Sequence, residues 1–194
     1  MKFILASSNL HKLSEFKKLL SPYSVSIIEN FDADETGSTF EENAIIKLEA
    51  LKARVDIARL DKDTVLLSDD SGLTIDSHRE ILGLYTSRFM DGSVQSDKNK
   101  KVLEIMKGES NRSAHYTCAL AFYPIWKNKT YTVEGILEGT ISHSLDGDGG
   151  FGYDPLFIPN GSSETLSSLG DEYKSACSHR ARATQKMLDV LKEL

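Results

Sequence analysis

The chain has 194 residues, 40% of them hydrophobic and 27% charged, a mix typical of one globular domain with a sizeable core. This composition excludes a disordered chain, and two cysteines are too few for a disulfide framework, so we expect a reducing, cytoplasmic setting. Because the formal net charge of −6 gives no global attraction to a nucleic-acid backbone, we expect no nucleic-acid partner.

The first predicted elements are a strand and two helices. The apolar run Lys2–Ala6 favours a strand, after which apolar residues recur at helical spacing, at Leu13, Phe16, Leu19 and Leu20. This run is too short for a signal peptide, and no stretch approaches the roughly 18 apolar residues of a membrane span, so no membrane partner is expected. A long amphipathic helix, with Ser38 or Thr39 as its cap, is predicted from the stripe Phe40, Ala44, Leu48, Leu51 and Val55.

In the middle of the chain, two strand-like runs flank a polar break. Thr64–Leu67 is β-branched and apolar, and Leu73 with Ile75 resumes a period of two. The residues Ser68–Gly72 between them predict a break, which leaves two carboxylates at a strand end. A helix is predicted over 97–107, with Val102, Leu103 and Met106 on one side.

The last third predicts a hairpin, a glycine-rich loop and a helix. Alternating Cys118, Leu120 and Phe122 favour a strand, Lys127–Lys129 a turn, and the return strand contains Tyr131, Val133 and Ile136. The final helix is expected from about Ser178. Because helices interleave with isolated strands and a hairpin, we expect an α/β fold, with helices packed on a central mixed sheet.

The loop between the first strand and the first helix is a candidate anion site. A helix N-terminus offers backbone N–H groups and the positive end of the helix dipole, and Lys12 can reach a phosphate from one turn inside. Ser7, Ser8 and Asn9 add hydroxyl and amide groups. The same residues also suit an ordinary helix cap, and the two roles are compatible.

Asp69 and Asp70 form the second candidate. Adjacent carboxylates in an extended segment point to opposite sides, so one can face a site while the other braces the loop. A carboxylate that faces phosphate oxygens requires a cation between the two anions, and Mg²⁺ is the natural bridging ion. A polar turn with an aspartate cap is the simpler interpretation of the same residues.

Two further segments carry unusual residues. Gly147–Pro155 has four glycines in its first six positions before Phe151, Tyr153 and Asp154, which leaves a phosphate cradle, a base clamp and a flexible hairpin loop as interpretations. His179 and Arg180 open the last helix, where the dipole disfavours cations, so they have either a functional role or acidic partners nearby.

Taken in order, these segments resemble the inosine triphosphate pyrophosphatase family, whose members hydrolyse non-standard purine nucleoside triphosphates such as ITP, dITP and XTP. The similarity lies in ILASSNLHKLSEF, ETGSTFEENAIIK, SDDSGLTID, LYTSRF, GTISHSLDGDGGFGYDPLF and SHRARA. It implies a single domain over 1–194, elongated, with the antiparallel hairpin as an extension. It also implies Mg²⁺-dependent release of pyrophosphate and a nucleoside monophosphate, and a homodimer.

The resemblance also assigns residues by position. Asp70 is the catalytic base and a metal ligand, and Glu35 is the second metal-binding acid, with Asp34 as an alternative because the spacing varies there. The remaining positions contact substrate: Ser7, Ser8, Asn9, Leu10, His11, Lys12, Lys47, Ser71, Phe151, Gly152, Tyr153, Asp154, Lys174, His179 and Arg180. Since Arg180 and His179 can donate hydrogen bonds, they suit a 6-oxo purine and disfavour the amino group of adenine.

Two departures and two alternatives accompany the resemblance. Ser8 stands where the family has glycine, and Leu82–Leu84 lacks the usual proline, which puts only local loop shape in doubt. A Maf-like nucleotide pyrophosphatase shares the Leu-Ala-Ser strand end, but it would continue with Ser-Pro-Arg-Arg where this chain has Ser8–His11. A non-catalytic nucleotide-binding protein would need neither Asp70 nor Glu35.

Overall fold

The computed structural model describes all 194 residues. Its strands are β1 (Lys2–Ala6), β2 (Ser24–Ile27), β3 (Thr64–Ile75), β4 (Ser113–Pro124), β5 (Tyr131–Ile141) and β6 (Phe157–Pro159). Its α-helices are α1 (Leu10–Leu19), α2 (Phe40–Arg54), α3 (Gln95–Ile105), α4 (Leu166–Cys177) and α5 (His179–Glu193). Short 3₁₀-helices lie at Ile57–Arg59, Gly83–Tyr85 and Asp154–Leu156.

The six strands form one mixed sheet in the order β2-β1-β3-β4-β5-β6. β1 pairs in parallel with both β2 and β3, whereas β5 and β6 are antiparallel. The N–H of Ile125 donates to the carbonyl of Thr64 and the N–H of Asp76 to that of Ser113, so β3 and β4 also run in opposite directions. The predicted α/β class with a mixed sheet and flanking helices is confirmed.

The chain forms two compact units. The first unit comprises residues 1–71, 118–135 and 180–194, and the second comprises 72–117 and 136–179. The strands β3, β4 and β5 therefore have residues in both units. Two unit boundaries fall inside predicted motifs, one after Ser71 and the other between His179 and Arg180. The single domain over 1–194 stays a prediction.

The first unit has a hydrophobic cluster on each face of its part of the sheet. Alternation along β3 produces this division, because Val65 and Leu67 join one cluster while Leu66 joins the other. Helices α1 and α5 cover the first face, and α2 covers the second. The first cluster contains Phe3, Leu5, Phe16, Leu20, Phe122, Ala183 and Met187, and the second contains Ala6, Ala44, Leu48, Leu51, Ala119 and Ala121.

The second unit has a core of its own. Leu73 and Ile75 of β3 pack in one cluster with Val102 of α3 and with Met106, the residue that follows this helix. The same cluster includes an edge-to-face aromatic contact between Tyr116 and Phe157, whose ring centroids are 4.9 Å apart. Leu82, Leu137, Ile141, Tyr153, Leu156 and Leu166 complete it.

One predicted boundary is wrong. β3 runs without interruption from Thr64 to Ile75, so Ser68–Gly72 does not break the strand. An extended strand tolerates buried carboxylates here because side chains from distant parts of the chain pair with Asp69 and Asp70. The short strand β2 and the helix α4, neither of them predicted, complete the architecture; α4 is interrupted at Gly170, whose φ is 76°.

Leu48→Ala tests the core on the α2 face of the first unit. Leu48 has no exposed surface, so we expect the free energy of unfolding to fall by about 2–5 kcal/mol, through lost burial and a residual cavity. Urea unfolding followed by circular dichroism measures this loss. Leu10→Ala is the matched control, because Leu10 is 70% exposed and its truncation should leave the midpoint unchanged. Equal midpoints for the two variants would contradict the assigned packing.

Candidate active site

The loop after β1 caps helix α1. The side-chain oxygen of Asn9 accepts hydrogen bonds from the backbone N–H groups of His11 at 2.9 Å and Lys12 at 3.2 Å. The hydroxyl of Ser7 in turn accepts from the N–H of Asn9 at 3.1 Å. The predicted cap is therefore confirmed. Ser8, Leu10 and His11 lie exposed beside it, and their contact with a phosphate stays a prediction.

Asp69 is a buried anion at the centre of the first unit. Its carboxylate forms an ion pair with Lys12, accepts from Nε of Arg180 at 3.2 Å, and accepts from the thiol of Cys118 at 3.1 Å. Burial opposes ionisation, but Lys12 and Arg180 outweigh it and hold the pKa of Asp69 below its ordinary range. Asp69 is therefore the carboxylate that braces the structure.

Arg180 uses all three of its guanidinium nitrogens within the first unit. Nε donates to Asp69, Nη1 to Glu15, and Nη2 to the hydroxyl of Ser71 at 2.9 Å. Although burial disfavours its charge, Asp69 and Glu15 reverse that effect and raise the pKa of Arg180. The structure thus ties the start of α5 to β3 and α1. A hydrogen bond from Arg180 to a purine base stays a prediction. Such a bond would require Arg180 to give up one of these three contacts.

Asp70 points away from Asp69 and has different partners. Its Oδ1 accepts from Nζ of Lys47 at 2.7 Å, and its Oδ2 accepts from Nδ2 of Asn43 at 3.1 Å. Burial raises the pKa of Asp70 above its ordinary value, against the opposing charge of Lys47. The expectation that two adjacent carboxylates serve separate environments is confirmed by these two partner sets.

Lys47 joins Asp70 to the second predicted metal-binding acid. The same ammonium group forms an ion pair with Glu35 and donates to the backbone carbonyl of Asp69 at 3.2 Å. Burial disfavours its charge, but Asp70 and Glu35 outweigh that effect, so the pKa of Lys47 is raised. Glu35 and Asp70 therefore face one cation position, and Glu35 rather than Asp34 is the acid paired there.

The donor set at this cation position fits Mg²⁺ shared with a substrate. No cluster of three or more histidine, cysteine, aspartate or glutamate side chains that could hold a metal occurs in the structure. Mg²⁺ does not require such a cluster, because it keeps several waters and takes one or two carboxylates together with substrate phosphates. Glu35 and Asp70 supply two carboxylates already arranged around a positive charge.

The glycine-rich segment of the second unit is tied down around Asp154. The carboxylate of Asp154 accepts from the N–H of Phe151 at 3.0 Å and from Lys174 at 2.7 Å, and the Lys174 ammonium lies 4.7 Å from the Phe151 ring centroid. Gly150 has a φ of 75°, and a Cβ there would collide with Asp154. The carbonyl of Gly152 accepts from Asn99 at 3.1 Å. These bonds argue against a flexible hairpin loop.

The other predicted base contacts differ in accessibility. Tyr153 is only 3% exposed, its hydroxyl donates to the carbonyl of Thr86 at 3.3 Å, and burial raises its pKa to about 12. His179 stacks on Tyr116 with 4.6 Å between ring centroids. Phe151 is half-buried. Stacking on a base therefore suits Phe151 better than Tyr153, whose side chain belongs to the core.

Sequence reasoning missed several polar partners of the site. Glu15, Asn43 and Cys118 contact Arg180, Asp70 and Asp69 respectively. The sequence held one usable signal, because Asn43 lies three residues after Phe40 and directly before Ala44, both in the apolar helical stripe. An asparagine on the inner side of an amphipathic helix requires a partner.

A comparison with protein-family models identifies the family of this chain. The model described as the Ham1 family matches residues 3–190. This chain belongs to the Ham1 family. Membership in the Ham1 family decides against the Maf-like alternative. No helix has the length and apolar character needed to cross a membrane.

Two relatives and one solved structure match this chain over nearly its full length. The chain is 38% identical over 200 residues to a dITP/XTP pyrophosphatase of Acholeplasma laidlawii, with 100% of this chain and 95% of that protein covered. It is also 38% identical to a dITP/XTP pyrophosphatase of Sulfurimonas denitrificans, with full coverage of both. The solved Ham1 protein of Staphylococcus aureus superposes with a TM-score of 0.83 at 31% identity and covers 100% of this chain and 99% of its own.

Asp69→Ala tests the structural role of the buried carboxylate. The substitution leaves Arg180 buried with one carboxylate fewer, so we expect the free energy of unfolding to fall by about 3–5 kcal/mol. Urea unfolding measures the change. Asp189→Ala is the control, because Asp189 belongs to an exposed ion pair with Lys192, and its removal should leave the midpoint unchanged. A loss of unfolding free energy as small as that of the control would contradict the structural role assigned to Asp69.

Proposed function

We propose that this Ham1-family protein hydrolyses the non-standard purine nucleoside triphosphates dITP, XTP and ITP to the monophosphate and pyrophosphate. The observation that carries the proposal is the arrangement of Glu35, Lys47 and Asp70, in which two carboxylates hold one cation. The names of the relatives supply the substrate class, since those that span the full chain are dITP/XTP pyrophosphatases.

Glu35 and Asp70 would hold the divalent ion, with Mg²⁺ as our proposed species. When bound, this ion neutralises phosphate charge and lowers the pKa of a coordinated water. Asp70 accepts the proton of the water that attacks the α-phosphorus, and its raised pKa suits a proton acceptor better than an unperturbed carboxylate. The P–O bond to the β-phosphate breaks, and pyrophosphate leaves.

Lysines would neutralise the triphosphate. Lys12, Lys47 and Lys174 each form an ion pair with a buried carboxylate. These partners hold the ammonium groups in fixed positions before substrate arrives, and such positioning contributes most of the catalysis in phosphoryl transfer. The cap formed by Ser7 and Asn9 holds the first turn of α1, which contains Lys12.

Phe151, His179 and Arg180 would recognise the base. Phe151 stacks on any purine and so gives affinity without choice, while the ring of His179 supplies a donor for the 6-oxo group of hypoxanthine or xanthine. Arg180 would add a second donor after exchange of its contacts. Adenine places an amino group where these donors point, and an unpaired donor in a desolvated site is costly. A homodimer and a cytoplasmic location complete the proposal.

A panel of nucleoside triphosphates tests the reaction. With Mg²⁺ present, we expect dITP, XTP and ITP to release pyrophosphate with kcat/KM at least about tenfold above that for ATP, because only the 6-oxo bases match the donors. Pyrophosphate and orthophosphate are assayed separately, which identifies the bond that is cleaved. Orthophosphate as the first product, or hydrolysis that persists in excess chelator, would overturn the proposal.

Asp70→Asn tests the catalytic assignment. The amide keeps the size of the side chain but removes a metal ligand and proton acceptor, so kcat for dITP should fall by at least about 100-fold. Nucleotide binding, measured by calorimetry, should change far less. Asp189→Asn is the control variant, since Asp189 is remote from the site in an exposed ion pair and its loss should leave kcat unchanged. Near-normal turnover of Asp70→Asn excludes Asp70 as the catalytic base.

Substitution of the lysines proposed to bind phosphate tests whether they affect the preference for one base over another. Lys12→Ala and Lys174→Ala should raise KM for every triphosphate by a similar factor, because phosphate charge is common to all substrates. The ratio of kcat/KM between dITP and ATP should therefore stay within about threefold of the wild-type ratio. A selective loss of one base in either variant would assign that lysine to the base instead.

A further inference from the structure

Asn43 occupies an unusual position at the start of α2. Asn43 is polar but only 1% exposed, whereas the other buried residues of the helix, among them Ala44 and Leu48, belong to the apolar core. Its Nδ2 donates to Oδ2 of Asp70 at 3.1 Å, and its Oδ1 accepts from the backbone N–H of Gly37 at 2.8 Å. A buried, hydrogen-bonded amide stabilises a fold no more than a well-packed apolar residue does. Its presence here therefore indicates that its hydrogen bonds serve a purpose other than stability.

The contact with Gly37 fixes which end of the amide faces Asp70. A backbone N–H can only donate, so the amide oxygen of Asn43 must turn toward Gly37. Its NH₂ group then points at Asp70 and offers that carboxylate only donors. Oδ1 of Asp70 meets a second donor, the ammonium of Lys47. Asn43 and Lys47 together therefore define the rotation of the Asp70 carboxylate about its Cβ–Cγ bond.

The same amide holds the loop that carries Glu35. A Cβ at Gly37 would lie 2.8 Å from Oδ1 of Asn43 and 2.7 Å from Cβ of Glu42, so the loop approaches α2 as closely as a glycine backbone allows. Ser38 adds a second attachment, since its N–H donates to Oε2 of Glu42 at 2.6 Å. Glu35 stands two residues before Gly37, so the position of its carboxylate depends on this docking.

We propose that Asn43 is a positioning residue that sets both carboxylates of the divalent-cation site, Asp70 through its NH₂ group and Glu35 through the loop at Gly37. This inference rests on the proposed function and deepens it. Asn43 touches neither substrate nor cation; it acts through Asp70 and the loop. Partners of this kind typically contribute about 10–100-fold to metal affinity or activity.

Variants at Asn43 test the proposal with Mn²⁺ as the probe. Asn43→Ala should weaken Mn²⁺ binding, measured by electron paramagnetic resonance without nucleotide, and lower kcat for dITP, each by about 10–100-fold. The KM for dITP should stay within about threefold, because the phosphate-binding lysines are untouched. Asn43→Leu keeps the branched shape of the side chain without its polar atoms and should show the same pattern, so the proposal stays testable if the alanine variant is poorly folded.

Thr39→Ala is the matched control for a merely structural effect. Thr39 caps the same end of α2, where its hydroxyl accepts from the N–H of Glu42 at 3.1 Å, but it does not contact Asp70. Its loss should lower the unfolding midpoint while Mn²⁺ affinity and kcat stay within about twofold of wild type. If Thr39→Ala reproduces the losses of Asn43→Ala, Asn43 acts by stabilising the helix and the proposal is wrong.

A double-mutant cycle separates this inference from the function on which it rests. In the Asp70→Asn background, Asn43→Ala should change Mn²⁺ affinity by less than its effect in the wild type, because its route through Asp70 is already removed. Undiminished effects in that background would overturn the inference alone. Likewise, an active wild type whose Asn43 variants keep Mn²⁺ affinity and kcat within about twofold overturns only the inference. A wild type that neither binds Mn²⁺ nor releases pyrophosphate overturns the proposed function and the inference together.

Discussion

The buried charge of Asp69 is the constraint on which the first unit depends. An ionised carboxylate with no exposed surface costs several kcal/mol of desolvation unless cations and donors surround it. Here Lys12 comes from α1, Arg180 from α5 and the thiol of Cys118 from β4. Because each partner belongs to a different element, the helices on this face pack in the one arrangement that neutralises Asp69. Lys12, in the first turn of α1, is held in place as a consequence.

Strand geometry turns two adjacent aspartates into groups with opposite properties. Two cations flank Asp69 and hold its pKa below the ordinary range, whereas burial dominates at Asp70 and raises its pKa. The low pKa keeps Asp69 as a permanent anion that anchors structure. On the proposed function, the raised pKa suits Asp70 for proton transfer. One peptide bond separates the two roles because successive side chains in a strand point to opposite faces.

Local patterns in the sequence predicted the parts of the fold that depend on local forces. The apolar stripe of α2 and the alternation of β4 follow from periodicity, and both elements are present. The continuity of β3 could not be predicted this way, since the partners of Asp69 lie 57 and 111 positions away, at Lys12 and Arg180. For the same reason, the sequence led us to expect a base contact for Arg180 and did not reveal its ion pair with Glu15. Periodicity depends on residues that are close in sequence, whereas the partners that allow a charge to be buried are distant in sequence.

On the proposed function, Lys47 would balance the two carboxylates assigned to the divalent ion. Glu35 and Asp70 would repel each other if they faced an empty position, and burial would increase that repulsion. The Lys47 ammonium removes it, and the raised pKa of Lys47 keeps that charge in place across the neutral range. A triphosphate would carry about four negative charges of its own, so its oxygens would offer the Lys47 ammonium alternative partners. Glu35 and Asp70 would then be free to hold the divalent ion. On the proposed function, the two carboxylates would therefore face a cation both before and after loading, and Asn43 would keep their geometry constant while that cation changes.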